Sequence, residues 1–184
     1  MLTLEQLRIL WDYEFWAKQH LMEHFRHLSQ EDYTRNLGVR FESVQGTLGH
    51  LVAVQMIWLA RWKGMSPRAM VQPSGFSTPS ALEERWNAVE FDLRAHLRGL
   101  SDADLGRPIT YRNTVGRTFT DPLWLLMHHV LHHTTFYRGE ATALLRMLGV
   151  NARIETESDR VLEGASQTGV ARHGLGGGNA PPRP

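Results

Sequence analysis

Four of the chain's ten histidines fall within six consecutive positions of the stretch LMHHVLHHTTFYRGE. A four-residue interval occurs twice there, His128 to His132 and His129 to His133. On a helix that interval stacks side chains on one face, so two imidazoles can offer lone pairs to one ion. A ligating imidazole nitrogen lies about 2.0–2.1 Å from zinc, and three protein ligands leave one position open for water. Histidine-only ligation suits Zn, Ni, Cu or Fe rather than Mg or Ca. Helical phase then separates the four. Leu123, Leu126, Val130, Ala141, Leu144 and Leu148 define an apolar stripe at about 100° per residue. His133, Thr134 and Tyr137 fall within it, and His129 lies on its edge. His128 and His132 point away, as surface or subunit-contact residues. A further inward-leaning histidine, His50, flanks the stripe Val44, Leu48, Leu51 and Trp58. The expectation is that His50 and His133 face one cavity, with His129 beside them. The plainer reading is that partly buried histidines simply find a hydrogen bond. The spacing also lacks the glutamate of the HExxH metalloprotease signature.

Four long helices must hold these residues. Thr3 to Gln6 reads as a capping box, and the first helix runs to about Leu28 without Gly or Pro. Ser29 to Asp32 reads as a short polar turn. Ser43 caps a second helix that Gly64 and Pro67 stop. Thr78-Pro79, a cap followed by Pro at the first helical position, opens a third that ends near Gly99. Asp121-Pro122 repeats the device and opens a fourth that ends at Gly149. Between the third and fourth, ITYRNTVGRTFT is β-branched, aromatic and broken by Asn113 and Gly116, so it is expected to be a small hairpin or extended loop. Trp58, Trp62 and Trp86 are expected in the core. The pattern predicts an all-α four-helix bundle over 1–150. Residues 151–184 carry few large apolar side chains and are expected to form a mobile C-terminal tail.

Composition removes several function classes. The chain has 184 residues, 42% hydrophobic and 21% charged, in the range of one soluble domain. A net charge of +1 gives no basic patch for nucleic acid. With no cysteine there is no thiolate zinc site and no catalytic thiol. Acidic residues interrupt MLTLEQLRILWDYEFW, so it does not read as a signal peptide. No apolar run reaches membrane-spanning length. The expectation is therefore a cytoplasmic protein with no membrane and no nucleic-acid partner. No nucleophile elbow or phosphate-binding glycine loop occurs either; GLGGG near the C-terminus follows no strand and opens no helix.

Three segments, YEFWAKQHLMEHF, SVQGTLGHLVAVQMIWLARWKG and HHVLHHTTFYRGEATALLRMLG, resemble the DinB/YfiT-like family over roughly residues 5 to 150. The third segment is the most specific. The resemblance implies an up-down-down-up four-helix bundle, a homodimer, and a divalent metal, Zn or Ni, held by three histidines. It implies a small-molecule substrate and one of two activities: metal-dependent hydrolysis, or S-transfer from a low-molecular-weight thiol. Carried over position by position, two ligands fall on His50 and His133. The third falls on Tyr137, where a phenol replaces a histidine. Arg138 and Gly139 match the pattern, and Glu140 stands where Gln is common. A phenol must lose its proton to bind a metal well, as tyrosinate on iron does. Three outcomes stay open. Tyr137 is an oxygen ligand with a catalytic role; or the metal moves one turn to His50, His129 and His133; or it is lost and Tyr137 hydrogen-bonds a histidine. The last leaves a non-catalytic dimeric bundle with a degenerate site. A second stripe on the fourth helix, Leu125, Phe136 and Ala143, is the residue-level hint of subunit contact.

Overall fold

Local hydrogen bonds set the ends of the helices. The Thr3 hydroxyl accepts from the Gln6 backbone N–H at 3.2 Å, and the Gln6 side chain accepts from the Thr3 N–H at 3.0 Å. This closed box starts α1, Leu4–Phe25. Ser43 and Thr78 accept in the same way at the starts of α3, Val44–Trp62, and α4, Pro79–Arg98. In this computed structural model the described residues are 2–153, 156 and 158–160. The expected tail lies for the most part outside them. Within them, Ala152 is buried and its carbonyl accepts from Arg146 Nε at 2.6 Å.

The expected polar turn at Ser29 is instead a five-residue helix, α2, Gln30–Thr34, capped by Ser29. Tertiary contact stabilises it: Tyr33 is fully buried and its hydroxyl donates to the Phe76 carbonyl at 3.0 Å. A further short helix, α5, Asp102–Leu105, follows α4. The hairpin forms, with β1, Pro108–Arg112, antiparallel to β2, Thr118–Pro122. Gly116 turns it at φ 86°, a region glycine enters without penalty. The last long helix, α6, is Leu123–Met147. The expected Asp121 cap is corrected: Asp121 pairs with Ile109 in the hairpin, and the Leu123 N–H donates to the Arg107 carbonyl at 3.0 Å. A backbone carbonyl just before the hairpin therefore takes the first N–H of α6, which has no side-chain cap.

Cross-helix contacts fix the connectivity. Along α1 and α4 the partners run in opposite directions: Arg8 with the Leu97 carbonyl, Asp12 with Arg94, Lys18 with Asn87 and Glu90, Arg26 with Glu83. Those helices are antiparallel. Gln55 meets Trp86 and Trp62 meets His96, so α3 and α4 are parallel. Thr47 meets Glu140, His50 meets His133 and Trp58 meets His129, so α6 runs against α3. The order is up-down-down-up. The core between the four holds Trp11, Trp62, Trp86 and Phe25, all nearly inaccessible. Fully burying a side chain of Phe size contributes about 1.5–3 kcal/mol. Trp11 and Trp62 meet edge-on at 6.0 Å, the arrangement aromatic quadrupoles favour. No described helix is long and apolar enough to cross a membrane.

Candidate metal centre

Antiparallel packing of α3 on α6 brings His50, in the second turn of α3, opposite His133, in the middle of α6. Both rings are half-buried. Their Nε2 atoms are 3.1 Å apart. Two ligands at the usual metal–nitrogen distance, subtending 90° to 109° at one ion, stand about 2.9–3.4 Å apart. Tyr137, one turn after His133, is buried. Its ring centroid lies 4.5 Å from that of His133 and 4.8 Å from that of His50. Its hydroxyl makes no hydrogen bond among the described residues. These three side chains are the ones the structure gathers.

His129 is placed differently. It is exposed, 6.3 Å from His133 by ring centroids, and it packs edge-on against Trp58 at 5.4 Å. Trp58 also carries the Arg61 guanidinium at 4.6 Å and touches Tyr111 of β1 at 4.9 Å. His129 thus belongs to an aromatic rim built partly by the hairpin. His128 and His132 form a separate pair, with Nε2 atoms 3.1 Å apart, on another face of α6.

Sequence reasoning missed Phe41. Its ring stacks on His50 at 4.1 Å with 19° between the planes, and it also touches Tyr137. The loop before α3 delivers it through a strained turn, with Glu42 at φ 65°. Non-glycine residues rarely adopt that conformation. The loop presses so close to α3 that a Cβ on Gly46 would stand 1.8 Å from the Phe41 carbonyl oxygen. A signal was present: a glycine inside an apolar helical segment marks a close approach.

Electrostatics keep the rings neutral. Burial, and then Arg40, lowers the His50 pKa. Burial, then His50, His129 and Arg40, lowers that of His133 to about 4. Neutral imidazoles have the free lone pair that coordination needs. Behind the site, Arg138 donates to Glu14 and, at 2.9 Å, to the Tyr13 hydroxyl, all three buried. Burial pushes the Glu14 carboxyl up to about 7 against the pull of Arg138. This ion pair ties α1 to α6 one residue beyond Tyr137.

Two imidazoles and a phenol are the donors these residues could offer a metal. Among the described residues no three His, Asp or Glu side chains are grouped to hold an ion. The buried His133 Nδ1 has no hydrogen-bond partner, whereas ligating histidines usually donate that proton to a carboxylate or carbonyl. A cavity of about 540 Å³ lies away from these histidines, at the hairpin tip by Arg68 and Arg112.

A family model described as the DinB family matches residues 3–164. Protein DinB of Bacillus subtilis (strain 168) is 24% identical over 150 residues, covering 76% of this chain and 84% of that protein. A crystal structure of a DinB-like protein from Bacillus cereus ATCC 10987 aligns with a TM-score of 0.58 at 17% identity, over 84% of this chain and 99% of that one. At that identity the likeness concerns the fold.

Proposed function

Because this chain belongs to the DinB family, we propose that it is a metal-dependent enzyme acting on a small molecule, by hydrolysis or by S-transfer from a low-molecular-weight thiol. His50 and His133 would hold a divalent ion, Zn or Ni, with Tyr137 as the third, oxygen donor. Such an ion supplies Lewis acidity and lowers the pKa of a bound water. The remaining work falls to the chain. Phe41 covers one face of His50 and keeps water from it. Trp58, Tyr111 and His129 form the rim over which substrate enters. His129 is the exposed imidazole available there to move a proton. We propose that the assembly is a homodimer, which sedimentation of the untagged protein tests.

The observation that carries this reading is the 3.1 Å approach of the two Nε2 atoms. The experiment is metal loading of untagged protein with Zn or Ni. Near-stoichiometric uptake is expected, lost in His50→Ala and in His133→Ala. Uptake below about 0.1 ion per chain removes the mechanism.

The missing third His, Asp or Glu favours a second reading. In it the same 3.1 Å is an N–H···N hydrogen bond between neutral rings, and the bundle is a non-catalytic module with a degenerate site. Tyr137→His separates the two. It creates tight binding where wild type had none if the site is degenerate. It changes little if Tyr137 already serves.

A further inference from the structure

The His128–His132 pair, the first half-buried and the second exposed, is not part of the His50–His133 site. Its Nε2–Nε2 distance of 3.1 Å, with ring centroids 4.3 Å apart, is the span of two ligands on one ion. Spacing alone does not make a metal site. His20 and His24 have the same interval on α1, yet the His20 ring lies on Trp16 at 4.4 Å, and its Nδ1 faces Glu23 at 4.0 Å. What distinguishes the α6 pair is ring convergence and the surface beneath it. His128 and His132 line a cavity of about 110 Å³ with Leu10, Tyr13, Glu14 and Thr135. Glu14 is 1% exposed, and its Oε1 has no hydrogen-bond partner. A buried, unsatisfied carboxyl oxygen points to a water or ion that completes it. The cavity has room for water, which takes about 30 Å³ per molecule.

We propose that His128 and His132 form a second, outer clamp for a transition-metal dication such as Cu or Ni, independent of the His50–His133 site. The remaining coordination positions are filled by water in the cavity that the Glu14 carboxyl also lines. The helix holds both rings on one face, so the second imidazole binds intramolecularly once the first has bound. Two imidazoles and water suit Cu or Ni better than the hard cations.

The test is titration of Cu²⁺ into untagged protein, read by calorimetry and by the nitrogen splitting in the electron paramagnetic resonance spectrum. His50→Ala/His133→Ala removes the inner site, and this variant is expected to bind one copper per chain with two coordinated nitrogens. Adding His128→Ala/His132→Ala should weaken that binding at least about tenfold, since the chelate is gone. His20→Ala/His24→Ala should leave it unchanged. Should the inner-site variant not fold, the outer pair is removed from wild type, where alanine on an exposed helix face is well tolerated. There the expected result is one equivalent fewer per chain. An isotherm unmoved by losing His128 and His132, one copper per two chains, or equal loss on removing His20 and His24 overturns the proposal. Failure of the inner site is read separately, in His50→Ala and His133→Ala with the outer pair intact.

Discussion

Gly46→Ala tests whether the loop before α3 holds the site together. In an unconstrained helix interior this change stabilises by about 1 kcal/mol, because alanine restricts the unfolded chain more. Here the new Cβ would stand 1.8 Å from the Phe41 carbonyl oxygen and 2.9 Å from its carbonyl carbon, both backbone atoms. The loop must retreat by more than about 1 Å, at the 1–3 kcal/mol typical of overpacking. That retreat also disturbs the 2.7 Å bond from the Ser43 N–H to the Phe41 carbonyl, and it lifts the Phe41 ring from His50. The expected net effect is a loss of about 1 kcal/mol. Gly139 is the matched control: it is also inside a helix, and a Cβ there meets nothing within 4 Å. Gly139→Ala should therefore stabilise by about 1 kcal/mol. Urea unfolding measures both free energies, and the His50 imidazole resonance reports the stacked ring. Stabilisation by Gly46→Ala equal to that by Gly139→Ala, with the His50 resonance unmoved, would refute the reasoning.

Three other outcomes are expected. Glu14→Ala leaves the Arg138 guanidinium buried without its carboxylate and should cost about 3–5 kcal/mol; replacing both partners together with apolar residues should cost much less, by the same denaturation assay. Glu42→Gly removes a side chain from a left-handed position at φ 65°; it should be neutral or slightly stabilising, since relief of strain offsets the added freedom of the unfolded chain, and a clear destabilisation would disprove the strain. Because the folded pKa of His133 lies near 4, below its ordinary 6.5, the folded apo-protein binds fewer protons than the unfolded chain in that window. Stability from this group is complete above pH 6.5 and is lost as pH falls toward 4, by at most about 1.4 kcal/mol per pH unit and less for a half-exposed ring. His133→Leu should flatten that limb of a melting-temperature profile in metal-free buffer.

The bundle could be read from the chain because its instructions are local. Thr3, Ser43 and Thr78 cap helices through bonds to residues three positions away, and the apolar phase of α6 sorts His133 and Tyr137 from His128 and His132 within a few turns. Where a local signal competed with a distant partner, the partner won. Asp121 carries a cap's chemistry but is held in a strand opposite Ile109. Ser29 to Asp32 looks like a turn, yet the chain goes on as helix to Thr34, where Tyr33 finds the Phe76 carbonyl.

The site divides along the same line. Residue order alone set which faces of the two helices carry imidazoles, and that a phenol stands one turn after His133. Only packing decided that Nε2 of His50 meets Nε2 of His133 while His129 turns to Trp58, that Phe41 lies over His50, and that Glu14 lines one cavity with the outer pair. The reason is range. A helix fixes neighbours three and four residues apart through its own geometry. The register between two antiparallel helices, and the descent of a loop onto them, depend instead on side chains that meet across long stretches of chain.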